Sequence, residues 1–161
     1  MNTIKSLFIS IFALLLFGCG ESEQQQVIRQ AQAIESADEC HLCGMVITNY
    51  PGPKGQAYQK GSDTTVRFCS TKDMFSYILQ PDNQRQIEQI FVHDMSKTPW
   101  QKPEDEYFID GKTAWYVIGS NQTGAMGKTL ASFSKESDAK AFSTEFGGEV
   151  YRFDDITLDK L

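Results

Sequence analysis

The sequence predicts an α+β fold of two ββαβ-type halves, each with a small antiparallel sheet and one main helix. Three observations predict it. Short runs of alternating apolar and polar residues are separated by glycine and aspartate turns. Helical spacing behind a serine cap occurs twice, once after Ser70 and once after Ser134. The two capped stretches also match each other. Residues 68–73 and 132–137 both read strand, serine, charged first turn, helix, offset by 64 residues from Ser70 to Ser134.

Taken in order, residues 1–18 read as a secretory signal. Lys5 gives a positive start, and residues 7–17 are apolar apart from Ser10, too short a run to span a bilayer. The run Leu16-Phe17-Gly18-Cys19 resembles a bacterial lipobox, so Cys19 is expected to become the lipidated (palmitate-bearing) first residue of the mature chain. Gly20 stands where an aspartate would favour retention at the inner membrane, which points toward the outer one. Residues 19–39 are rich in Gln, Glu, Ser and Ala and read as a flexible tether. Residues 40–161 then form one domain, its halves spanning about 40–96 and 107–157.

Within the first half, residues 45–47 read as a short strand. Residues 56–60 and 64–69 alternate around a Gly61-Ser62-Asp63 turn and read as a hairpin. Ser70 is a helix cap with Asp73 at the capping-box position, and Met74, Phe75, Ile78 and Leu79 follow at helical spacing up to Pro81. Residues 87–95 make the next strand, and Pro99 and Pro103 mark an irregular connection. In the second half, residues 107–109 and 113–118 read as strands around an Asp110-Gly111 turn. A glycine-rich loop over 120–127 carries Met126. Residues 129–133 form a strand, and a helix capped by Ser134 presents Ala139, Phe142 and Phe146 and ends at Gly147-Gly148. Residues 150–153 close the fold as a strand.

The net charge is −6, or −7 once Lys5 leaves with the signal, and no basic cluster is present, which argues against nucleic acid as a partner. Beyond Cys19 the chain has Cys40, Cys43 and Cys69, an odd number that a disulfide framework cannot consume. The stretch Cys40-His41-Leu42-Cys43-Gly44-Met45 concentrates two thiols, an imidazole and a thioether, all soft or borderline metal donors. A structural zinc site lacks a second Cys-x-x-Cys pair. A thioredoxin-like centre would open a helix, and haem attachment needs His where Gly44 stands. A Cu(I) site uses Met45 as well as the thiols, with the i and i+2 side chains of Cys43-Gly44-Met45 on one side of an extended segment. No Ser-His-Asp order, phosphate loop or carboxylate pair with a base is visible, so the protein is not expected to be an enzyme. The alternative is a thiol-based redox or organometal-cleaving enzyme using Cys43 and Cys69, which needs an acid beside the thiols.

Cys-Gly-Met followed by residues 51–56, Pro-Gly-Pro-Lys-Gly-Gln, resembles the NosL family of nitrous oxide reductase accessory lipoproteins. So do Phe68-Cys69-Ser70 with Asp73-Met74, Trp115 through Gly119-Ser120, Gly124-Ala125-Met126-Gly127 and Phe146-Gly147-Gly148. The resemblance covers residues 40–157. It implies a lipid-anchored, periplasm-facing chaperone, a monomer or weak dimer, that supplies Cu(I) for the copper centre of nitrous oxide reductase through a membrane ABC-type assembly machinery. Cys43 and Met45 match the family's Cys-Gly-Met and are the leading ligands. Met126, in the matching loop of the second half, is the expected third donor, and His41 and Cys40 are helpers. Cys69, Met74, His93, Trp100 and Trp115 are expected to be scaffold.

Overall fold

Residues 29–161 are described by the computed structural model of the chain. The expected signal peptide, the lipidation residue Cys19 and the first part of the tether lie outside the described residues.

The first half runs β1 (Gly55–Gln59), β2 (Thr65–Phe68), α1 (Thr71–Ile78), the short α2 (Pro81–Gln84) and β3 (Ile87–His93). Ser70 caps α1 as its sequence position requires: its Oγ accepts the Asp73 N–H at 3.0 Å. Such a cap stabilises a helix by about 1 kcal/mol. Pro81 ends α1 and begins α2, where the amide it lacks would have been unpaired anyway. After β4 (Phe108–Asp110), the second half runs β5 (Trp115–Ile118), a small hairpin of β6 (Thr123–Gly124) and β7 (Gly127–Lys128), β8 (Ala131–Phe133), α3 (Glu136–Phe146) and β9 (Glu149–Arg152).

All strand pairs are antiparallel. The first sheet has the order β2-β1-β3-β4 and the second β8-β5-β9. In each half the first strand therefore lies between the second and the last. This common ββαβ topology is the physical content of the repeat seen at offset 64.

β5 joins the halves. Its alternating side chains serve two cores. Tyr116 and Ile118 face the larger one with Phe68, Phe75, Ile90 and Val92, while Trp115 and Val117 face α3 with Phe133 and Ala139. Phe75 of α1 meets Tyr116 edge-on, with ring centroids 4.9 Å apart. The Tyr116 hydroxyl donates to the Gly111 carbonyl at 2.6 Å.

Several expectations need correction. Residues 45–47 are no strand: Val46 makes a single bridge to Glu39, and Ile47–Asn49 is a 3₁₀ turn. The segments on either side of Asp110-Gly111 do not pair with each other. β4 completes the first sheet beside β3, and β5 starts the second, so the turn is a crossing between sheets. Ser134 does not cap α3, whose N-cap is Lys135 with no side-chain hydrogen bond. Instead Ser134 serves the buried Asp94 carboxylate. Residues 29–39, placed with the tether, are hydrogen-bonded to the domain. The Gln32 amide donates to the Gln56 side chain, the Ile34 amide donates to Asp105, and Asp38 pairs with Arg67.

Burial pushes the Asp94 carboxyl up, but hydrogen bonds donated by Ser134 and Ser96 outweigh it and hold it below the usual carboxylate range. The sign follows: a depressed native pKa adds stability that is complete above about pH 4 and is lost as the pH falls through that native value. Asp94→Asn is expected to cost about 1.5 kcal/mol or more at pH 7, as hydrogen bonds to a charged group do. In urea melts the gap to the parent should close below about pH 4.

Candidate metal centre

Three pieces of chain build the centre. The first is the loop of residues 40–46. The Cys40 N–H donates to the Met45 carbonyl at 2.9 Å, and the Gly44 N–H to the Cys40 carbonyl at 2.8 Å. The turn places Gly44 at φ +72°, a conformation in which glycine has no steric penalty. A Cβ at Gly44 would meet nothing within 4 Å, so the glycine serves the turn and not a close approach. The His41 N–H donates to the Arg67 carbonyl at 2.8 Å, which docks this loop on the open edge of β2. The second piece is Cys69, directly after β2. The third is Asp73, in the first turn of α1.

These pieces converge. The ligand atoms of Cys40, Cys43, Cys69 and Asp73 all lie within 4.8 Å of one another. Cys69 Sγ is 3.0 Å and Cys43 Sγ 3.5 Å from Asp73 Oδ2. Cys40 Sγ is 3.6 Å from the same oxygen, and the Cys43 and Cys69 sulfurs are 3.5 Å apart. No disulfide joins the three thiols. Two ligands 2.3 Å from a tetrahedral ion stand about 3.8 Å apart, so the spacing suits donors shared by one ion. Cys40 and Cys69 are buried while Cys43 is exposed, which leaves the cluster open on the Cys43 side.

The electrostatics are graded. A hydrogen bond from Cys69 lowers the Cys40 thiol to about 5 against the effect of its burial. Cys69 is pushed far up by that same hydrogen bond, then by burial and by the Asp73 carboxylate. Burial also raises Cys43. Cys40 is thus the thiol that ionises most readily.

Behind the cluster lies Lys54, with 4 % of its surface exposed. Burial brings its ammonium down to about 8, against the attraction of Cys69. His93 is buried and stacked on Phe108. Its Nδ1 accepts the Lys54 N–H at 3.1 Å, its Nε2 is 3.6 Å from Asp105, and burial lowers its pKa.

The sequence-derived candidates are placed unequally. Cys43 and Cys40 are in the cluster. Met45 is half-buried against the core that holds Cys40, Cys69 and Met74. Because Cys43-Gly44-Met45 is a turn and not an extended segment, the argument that its two side chains share a side does not hold. His41 is exposed and edge-on to Tyr77, with centroids 5.0 Å apart. Met126 is at the tip of the β6–β7 hairpin and 54 % exposed. Cys69 belongs to the core as expected, yet its thiol is central to the cluster. Asp73, expected as half of a capping box, turns its carboxylate to the thiols instead. The spacing Cys69-x-x-x-Asp73 across a helix start was the available signal, since it puts the residue before a helix cap within reach of the first turn. Trp100 and Trp115 are scaffold: Trp100 stacks on Phe142, and Trp115 lies under Arg152.

A thiol-rich pocket with one carboxylate and one exposed edge, built by the first of two ββαβ halves at the open edge of its sheet, defines a candidate soft-metal-binding α+β domain. Residues 31–161 match the NosL family profile, and the chain belongs to the NosL family. The copper-binding lipoprotein NosL of Stutzerimonas stutzeri is 46 % identical over 151 residues, covering 94 % of this chain and 78 % of that protein. The protein of the same name from Achromobacter cycloclastes is 32 % identical over 157 residues, covering 96 % and 80 %. The crystal structure of the copper chaperone NosL from Shewanella denitrificans superposes with a TM-score of 0.80 at 55 % identity, covering 81 % of this chain and 97 % of that one.

Proposed function

We propose that this protein is a lipid-anchored Cu(I) chaperone that faces the periplasm and delivers copper for assembly of the copper centre of nitrous oxide reductase. The observation that carries this reading is the convergence of three unbridged thiols and a carboxylate on one point, open at Cys43, in a chain whose relatives are named for copper binding. Thiolate and thioether donors favour Cu(I). A carrier must also release its cargo, and an exposed ligand at the rim permits exchange. Cys43 acts as the handover ligand above Cys40 and Cys69, and Met45 and Met126 serve as further thioether donors. The anchor is the lipid on Cys19, in the outer membrane, and the receiving partners are the reductase and its membrane ABC-type machinery. The protein works as a monomer or weak dimer and turns over no substrate.

The test is a titration of the reduced domain with Cu(I) against a chromophoric chelator, followed by incubation with copper-free nitrous oxide reductase. One tightly held Cu(I) that passes to the reductase supports the reading, and no uptake rejects it.

Asp73 favours one second reading. Two thiols that donate to one carboxylate could cleave a carbon–mercury bond. Cys43 and Cys69 would bind the metal as thiolates while the proton that a thiol gives up passes by way of Asp73 to the departing carbon, which leaves as the hydrocarbon. Benzene released from phenylmercuric acetate by the parent but not by Asp73→Asn would establish that activity.

A further inference from the structure

We propose that Lys54 is a positioning residue for the metal centre: a buried cation that fixes Cys69 from behind and balances the negative charge the donors carry when metal is bound. The proposal rests on the copper-binding reading above.

The geometry is specific. An ammonium has three hydrogens to donate, and Lys54 Nζ places them on the carbonyls of Tyr50 at 2.6 Å, Pro51 at 3.1 Å and Cys69 at 3.2 Å. Lysine is almost never buried this deeply unless paired. Among the described residues no carboxylate forms an ion pair with it. Its backbone N–H is held by His93. Lys102, Glu104 and Asp105 share with it a cavity of about 310 Å³ without pairing to it. Of the negative groups around it, the cluster is the one its ammonium reaches through a hydrogen bond, by way of the Cys69 carbonyl. Deprotonated thiols and Asp73 stay net negative even around a monovalent ion, and a fixed cation close behind them offsets that charge.

Lys54 also ties separate segments around the centre together. The Pro53 carbonyl next to it accepts the Thr71 N–H at 3.1 Å, which seats the loop of residues 51–54 on the start of α1. The Pro51 carbonyl that it holds lies against Gly124, at the base of the hairpin that carries Met126. A Cβ on Gly124 would stand 3.5 Å from that oxygen. The adjoining Gly55 leaves no room for a side chain, because a Cβ there would meet Met74 Sδ at 2.6 Å. One ammonium therefore braces Cys69 in the first half and the loop on which the second-half hairpin rests.

The test uses Lys54→Met, which removes the charge, and Lys54→Gln, which removes the charge but keeps a donor. Cu(I) affinity is measured by chelator competition at pH 7, with circular dichroism and melting of the metal-free proteins as the check on folding, and the ammonium resonance of Lys54 is followed in the parent as Cu(I) is added. We expect folded variants with Cu(I) affinity at least about tenfold lower, and a Lys54 resonance that shifts on loading. Parental affinity in both variants overturns the proposal. So does a Lys54 resonance that Cu(I) leaves unchanged, which a merely structural lysine would give. If neither variant folds, the ammonium resonance of Lys54 in the unaltered protein decides: a shift on Cu(I) loading supports the proposal, and an unchanged resonance overturns it. A parent that takes up no Cu(I) instead rejects the copper reading, and this proposal with it.

Discussion

Cys43→Ser is expected to weaken Cu(I) binding by at least about 100-fold, beyond the 10- to 100-fold that removing a residue behind a ligand costs. Cys43 is the exposed thiol of the cluster, 3.5 Å from both Cys69 Sγ and Asp73 Oδ2, so its loss opens the site at the point where metal enters and leaves. A serine hydroxyl is a hard donor and does not replace a thiolate toward Cu(I). Stability should hardly change, because the side chain is at the surface and takes part in no disulfide. Chelator competition reads the affinity, and a thermal melt reads the fold. Met45→Leu should weaken binding less, since it leaves the three thiols in place. If both variants bind copper as well as the parent, the ligand assignment is wrong.

The second large effect is on stability. Phe75→Ala should destabilise the protein by about 3–5 kcal/mol, the usual cost of emptying a fully buried phenylalanine site. Phe75 has no exposed surface, and its ring sits between Tyr116 and Phe153 of the second half. The cavity would open where the two halves meet. Against a total of roughly 5–15 kcal/mol the loss is severe. A drop in Tm on the order of 10–20 °C should follow. Well below the new Tm, Cu(I) affinity should stay within a few-fold of the parent, because Phe75 lies two positions after Asp73 on α1, about 200° round the helix from it. A melt within about 1 kcal/mol of the parent would show that this contact does not join the halves.

These two residues also mark what could be read from the sequence. The local features were legible: the β1–β2 hairpin, the Ser70 cap, the end of α3 at Gly147 and the repeated ββαβ order all depend on neighbours within a few positions. The cluster was only partly legible. Cys40 and Cys43 announced themselves by spacing, but Cys69 is 26 residues from Cys43, and Asp73 is 33 from Cys40. That contact exists because the loop of residues 40–46 docks on the free edge of β2, which no local pattern dictates. Asp73 was misread because aspartate three residues after a cap has an ordinary use in closing a helix start. The crossing at Asp110-Gly111 was misread for a related reason: a turn signal says that the chain bends, not which sheet receives the next strand.

The central claim is that sulfur donors of this pocket hold Cu(I). Copper-edge X-ray absorption on the loaded domain tests it most directly. At least two sulfur neighbours are predicted, with one sulfur fewer or the ion lost in Cys43→Ser. A coordination shell of nitrogen and oxygen alone, unchanged in that variant, would contradict the account.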